Sequence, residues 1–203
     1  MNKNRIKELK PLAQTKFLSI YDAKYTNKLG NEKHWMIASR KDYASLSDKY
    51  FNGKQDEVDA VVIAAFHEKS KSLVLVKQFR IPLNDYVYEL PAGLVDPNED
   101  PKLTIKRELK EETGLNLLHI NHNLGSNQLY LSPGMTEESA SLIYCTCEGN
   151  LSKDYLEEDE DITPMLVNQE EARKLISNNV KIDIKAFMTL QSFALYGESF
   201  FSL

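Results

Sequence analysis

The chain of 203 residues predicts a mixed α/β (α+β) fold: a mixed sheet with helices on its faces, preceded by an antiparallel β arm. Three observations carry this expectation. From Val58 onward, strand-like apolar runs are interleaved with helical segments, the pattern of a sheet covered by helices. Ahead of Val58 the texture alternates loosely and is rich in turns, with too few apolar residues to fold without packing on something else. The charge changes at the same place: residues 1–55 balance to +7 and residues 56–203 to −12, which together give the net −5. Two segments are therefore expected, an N-terminal β arm over 1–55 and a main domain over 56–203.

In order along the chain, residues 15–41 read as a hairpin, TKFLSIYDAKY and KHWMIASRKDY around the turn-rich TNKLGNEK. Residues 46–57 read as a connection with a turn at Asn52-Gly53. VDAVVIAAF is a buried strand, His67–Ser70 a turn, SLVLVKQFR a second strand, and DYVYELPAG a third, short one ending at Pro91. Asp100 caps a helix with Pro101 at its first position, and Gly114 closes it. Two more strands are expected around 117–130 and 138–147, then an acidic loop at 154–161 and the strand ITPMLV. Asn168 with Glu171 forms a capping box for a helix to about Ser177, and a last helix runs from Asp183 to Gly197.

Composition narrows the class. With 42% hydrophobic and 27% charged residues the chain is neither a disordered tail nor a fibre. No run approaches the roughly 18 apolar residues of a membrane-spanning helix. The start, MNKNRIKELKPLAQTK, is charged and lacks an apolar core, so a secretory signal is not expected and a cytoplasmic location is. Cys145 and Cys147 read as small buried hydrophobes in a reducing compartment. The acidic body suits divalent cations; the basic arm suits an anionic ligand or an acidic partner surface.

The segment 93–115, GLVDPNEDPKLTIKRELKEETGL, carries the chemistry. On a helix Glu108, Glu111 and Glu112 share one face, and three carboxylates within one turn repel. A hard divalent cation relieves that repulsion and takes substrate phosphates as further ligands. Arg107, one turn before Glu111, can brace a carboxylate. Gly93 leads into the same helix, so backbone at 91–93 can approach the same metal.

This segment resembles the Nudix box, in which Gly93, Glu99, Arg107, Glu108, Leu109, Glu111, Glu112, Gly114 and Leu115 occupy every patterned position. With each fixed residue at roughly one in fifteen, a chance match is on the order of 10⁻⁷, which rejects a mere acidic surface helix. The resemblance implies a Nudix α/β/α sandwich over 56–203. It implies hydrolysis of nucleoside diphosphates linked to another moiety, with Mg²⁺ or Mn²⁺, two or three ions per site. Carried over, the carbonyl of Ala92 and the carboxylates of Glu108, Glu111 and Glu112 hold the metals. Glu111 and Arg107 belong to the catalytic centre, and Glu99 is a brace.

The flanks resemble the ADP-ribose pyrophosphatase branch: Gln78-Phe79-Arg80, the lead-in Glu89-Leu90-Pro91-Ala92-Gly93, and the turn Ser132-Pro133-Gly134. That branch implies ADP-ribose as substrate, cleaved to AMP and ribose 5-phosphate. In the acidic loop it implies Glu158 as catalytic base and Glu160 as a further metal ligand, with Glu138 a second candidate for base or ribose contact. Arg80 is placed to bind phosphate, Trp35 to stack on the base with Phe17 as a second face, and Arg40 and Gly134 to touch the ligand. The arm is expected at the interface of a homodimer. Membrane and nucleic-acid partners are not expected. The alternatives are a pyrophosphatase for another nucleotide sugar such as GDP-mannose, a nucleotide-sensing relative, and an RNA-processing Nudix enzyme. The retained carboxylates argue against the sensor; only the basic arm supports the RNA enzyme.

Overall fold

The computed structural model describes residues 4–96 and 99–202. At its centre lies β4 (Ala60–His67), whose eight residues are all buried. Such a strand has to be covered on both faces. Val61, Ile63 and Ala65 point to one side, where they form a core with Ile105, Leu109, Leu115, Cys145 and Cys147. Phe66, of the other parity, stacks on Phe201 at 5.0 Å between ring centres and meets Phe193 edge-on at 6.2 Å. Helix α2 (Pro101–Thr113) therefore covers one face and α4 (Ile184–Tyr196) the other, an α/β/α sandwich.

The sheet runs β10-β5-β4-β9-β8, with β5 at Ser72–Arg80, β8 at Asn116–Tyr130, β9 at Ser139–Glu148 and β10 at Ile162–Val167. Its direction is mixed. β5 is antiparallel to β4 and to β10. β9 runs with β4, since Asp59 N–H bonds the Ser139 carbonyl at one end and Glu68 N–H bonds Cys147 at the other. The expected third strand is two. β4 and β5 pair only near their turn, at Phe66↔Leu73 and His67↔Ser72. Beyond that they part: β6 (Asp85–Glu89) pairs with β5, and β7 (Ala92–Leu94) pairs with β4. Pro91, which has no N–H to give a ladder, falls between the two.

The predicted caps are present. Asp100 accepts from Lys102 N–H, and Gly114 closes α2 at φ +76°, where a side chain would be strained. α3 (Gln169–Ser177) opens on the Asn168–Glu171 capping box, and α4 on Asp183.

The chain forms two compact units, one of residues up to Asp59 with Leu129–Ala140, the other of Ala60–Gln128 with Ser141 onward. In the first unit the hairpin is β2 (Ser19–Thr26) and β3 (Glu32–Ser39). Two elements there correct the sequence expectation. A further strand, β1 (Ile6–Gln14), pairs with β2; its Pro11 and sparse apolar residues conceal it, and an edge strand with a register shift at Pro11/Ala13 tolerates both. Part of the expected connection 46–57 is helical: α1 (Tyr43–Phe51) begins ahead of it on the cap Asp42, which accepts from Ser45 N–H. It is short and buries Leu46, which joins Leu9, Tyr21 and Ala23 in a small core. Asn52 and Gly53 follow as its C-terminal stop. Lys41 pairs with Asp59 and Lys49 with Asp56 beside it.

Cys145 and Cys147 are buried and unpaired. Among the described residues no helix is long and apolar enough to cross a membrane.

Candidate active site

The amphipathic turn of α2 sets the acidic site. Ile105 and Leu109 anchor the helix on β4, which places Glu108 and Glu112, one residue round, at the edge of that buried face. Glu112 is 4% exposed and Glu108 8%, far less than the half-open Glu111. The parting of β4 and β5 brings β7 against this edge. Ala92 N–H donates to Glu112 Oε2 at 3.0 Å, and Gly93 lies under Glu108, where a Cβ would come within 1.9 Å of the carboxyl carbon.

Arg107 holds the site together. It donates to Glu108 at 2.6 Å, to Glu111 at 3.1 Å, to Glu99 at 3.0 and 3.2 Å, and to the Leu94 carbonyl at 3.1 Å. Glu99 also accepts from Thr104 Oγ1 and Asp96 N–H. These donors, Arg107 first, hold its carboxyl well below the usual range, at about 2. Glu99 is thus a brace in geometry as in the sequence reading. Burial pushes the Glu112 carboxyl up to about 8 against the opposing Ala92 N–H, with the charges of Glu108 and Glu160 adding. Burial also raises Glu108, with Arg107 opposing and Glu111 and Glu160 adding.

Within the acidic loop, residues 157–159 are exposed, Glu158 among them, and Glu160 is half-buried. Glu160 is the loop acid whose charge reaches both Glu108 and Glu112. Asp161, at the end of the loop, accepts from Tyr86 Oη at 2.6 Å. Arg80 makes a two-pronged bond to Glu89, at 2.7 and 2.8 Å, a partner the sequence reading did not assign. Its signal was present: Glu89 opens the Glu-Leu-Pro-Ala-Gly lead-in.

The other candidate residues lie in the first unit. Trp35 donates from Nε1 to the Gly134 carbonyl at 3.1 Å. The two line a pocket of about 280 Å³ with Tyr50, Tyr130, Met135 and Glu137. Tyr50 and Tyr130 were not singled out from sequence, although Tyr130 lies two residues ahead of the Ser-Pro-Gly turn. Arg40 donates to Glu138 at 2.8 Å, so these two candidates are each other's partner. Phe17 stands in the β1–β2 turn, 67% exposed and outside the Trp35 pocket, with Lys16 Nζ over its ring at 5.0 Å.

The donor set fits a hard divalent cation: three carboxylates on one helix, all oxygen, with no thiol or imidazole among them. Among the described residues no group of three or more such side chains is already gathered around one point. Instead Arg107 and Ala92 N–H hold the carboxylates.

An α/β/α sandwich that presents three carboxylates from one helix is the class of protein this fold and site define. Residues 54–187 match the family model of the NUDIX domain. The chain belongs to the Nudix family and is a Nudix hydrolase, a class that generally needs divalent metal ions. It is 34% identical over 136 residues to the ADP-ribose pyrophosphatase of Bacillus subtilis (strain 168), covering 65% of this chain and 70% of that protein. It is 28% identical over 187 residues to the ADP-ribose pyrophosphatase of Saccharomyces cerevisiae, covering 89% and 75%. The crystal structure of an ADP compounds hydrolase shares the fold with TM-score 0.64 at 15% identity, over 92% of this chain and 89% of that one.

Proposed function

We propose that the protein hydrolyses the pyrophosphate bond of ADP-ribose to AMP and ribose 5-phosphate. The observation that carries this reading is the carboxylate face of α2: Glu108 and Glu112 are buried, Arg107 pairs with Glu108 and Glu111, and Glu112 accepts from the Ala92 N–H. That arrangement has a use if a doubly charged ion and a diphosphate occupy it, and two of the chain's relatives are named for ADP-ribose.

Glu108, Glu111, Glu112, the Ala92 carbonyl and Glu160 would hold Mg²⁺ or Mn²⁺, two or three ions per site. Bound there, such ions neutralise diphosphate charge and lower the pKa of water. Arg107 keeps Glu108 and Glu111 aimed into the site and, with Glu99, ties Leu94 and Asp96 to α2. Glu158 accepts the proton of the attacking water, with Glu138 the second candidate. Arg80, backed by Glu89, presents a fixed guanidinium edge to phosphate. Trp35, with Gly134 behind it, stacks on the base; Phe17 and Arg40 contribute from the same unit. The protein works as a homodimer through the arm over 1–55, with the hydrolase domain over 56–203, and in the cytoplasm.

The test is a substrate panel with Mg²⁺: ADP-ribose, GDP-mannose, flavin adenine dinucleotide and diadenosine polyphosphates. ADP-ribose should have the highest kcat/KM, and chelator should abolish turnover. A preference for GDP-mannose overturns the substrate, and sedimentation as a monomer at micromolar concentration overturns the dimer.

A further inference from the structure

We propose that Tyr86 is a positioning residue: it holds Asp161 and so keeps Glu160 beside Glu108 and Glu112. The inference rests on the reading of Glu160 as a metal ligand given above.

Glu157 to Asp161 are five consecutive acids, and such a run repels itself. Tethers hold it in place. Ahead of the run, Ser152 N–H bonds the last carbonyl of α2, on Thr113, at 3.0 Å, and Lys110 Nζ lies 4.7 Å from the Tyr155 ring centre. At its end, Asp161 is held twice. Its carbonyl accepts from Phe79 N–H at 3.0 Å, and its carboxylate accepts from Tyr86 Oη at 2.6 Å. Glu160 sits between these ends, exchanging bonds with Glu157: its N–H donates to the Glu157 carbonyl, and its Oε2 accepts from Glu157 N–H.

Tyr86 can impose this geometry because the sheet places it. It is the register partner of Phe79 on β5, meets that ring edge-on at 5.3 Å, and has Lys77 Nζ 5.1 Å from its centre. β10, which begins right after the loop, pairs with the same strand at Ile162↔Gln78. One strand thus fixes both the tyrosine and the end of the loop. A hydrogen bond to a carboxylate is among the stronger kind, and outer partners of metal ligands commonly set metal affinity. Glu160 has the reach to matter, since its charge is felt at both Glu108 and Glu112.

The test uses the full chain without substrate. Tyr86→Phe keeps the ring contacts and deletes the hydroxyl. Mn²⁺ affinity is read from the electron paramagnetic resonance of free Mn²⁺, and loop order from amide hydrogen exchange over 156–161. The expected result is Mn²⁺ binding weaker by about tenfold, faster exchange in the loop, and an unchanged melting temperature. ADP-ribose turnover should return to within about twofold at saturating Mn²⁺. In a Glu160→Gln background, Tyr86→Phe should add no further loss of Mn²⁺ affinity. Unchanged Mn²⁺ affinity or unchanged exchange in Tyr86→Phe, with Glu160→Gln still weakening binding, overturns the positioning role alone. Unchanged Mn²⁺ affinity in Glu160→Gln overturns the reading of Glu160 and this inference with it.

Discussion

Gly93 and Glu108 occupy neighbouring space so closely that a Cβ on Gly93 would stand 1.9 Å from the Glu108 carboxyl carbon and 2.0 Å from its Oε1. Gly93 is held in the ladder opposite Val61, so the strand cannot step back. The Glu108 carboxyl is the flexible side and would move. Gly93→Ala should therefore keep the fold, at about 1–3 kcal/mol of stability, while activity falls by at least about 100-fold. Steady-state hydrolysis alongside a thermal melt checks this; near-normal activity would show that Glu108 need not sit there.

The buried Glu112 carboxyl makes a pH prediction for the metal-free protein. Its folded pKa of about 8 lies above the ordinary carboxylate value of 4.5. The folded state then holds a proton that the unfolded chain has released. This group's contribution to stability is full below about pH 4.5, falls as pH rises, and is lost by pH 8. Glu112→Gln, which cannot ionise, should melt higher than the unsubstituted protein at pH 8–9 in chelator and show a flatter pH dependence. Its turnover should be lost at every pH. A Glu112→Gln melt that falls with pH as steeply as the parent's would place the titration elsewhere.

Arg107 meets Glu99, Glu108, Glu111 and the Leu94 carbonyl at once, which a planar fork can do and a single ammonium cannot. Arg107→Lys should keep the charge yet lower kcat by about 10- to 100-fold. Thr104→Val, which removes one donor to Glu99 at 2.7 Å, should have a smaller effect of the same kind. Kinetics at saturating Mg²⁺ distinguish the two.

Glu160 and Glu158 should fail in different ways. Loss of a metal ligand in Glu160→Gln should be partly repaired by excess Mg²⁺. Loss of a base in Glu158→Gln should lower kcat by about 10²- to 10⁴-fold with near-normal metal dependence. The measurement is kcat against Mg²⁺ for Gln or Asn at each of 157–161. A dominant effect at Glu157 or Asp159 would shift the register, and no effect at any of the five would move the base to Glu138.

Stacking on Trp35 should be worth roughly 1–3 kcal/mol. Trp35→Ala should then raise KM for ADP-ribose by about 5- to 150-fold with kcat little changed. Trp35→Phe should recover part of it, less the bond to Gly134. An unchanged KM would make Trp35 a packing residue.

What was legible in the chain is what local geometry governs. Asp100, Gly114, Asn168 and Asp183 declare the ends of α2, α3 and α4 because a cap satisfies backbone groups within the same few residues. β1 and α1 were hidden for the converse reason. The first is an edge strand carrying Pro11, and the second buries one leucine, so neither has a strong pattern of its own.

The same division runs through the site. The sequence by itself determined that Glu108, Glu111 and Glu112 share one helical face, because helical periodicity brings residues three and four apart together. Only the tertiary structure decided which acids are buried and which cation each acid meets. Glu112 is deeper than Glu111 because β7 folds over one side of α2. Asp161 meets Tyr86 because β6 and β10 both pair with β5, at Phe79↔Tyr86 and Ile162↔Gln78; Arg80, whose register partner is Asp85, reaches along β6 to Glu89 instead. Burial and partner choice depend on what packs from far away in the chain, and that is where the charge of a carboxylate is set.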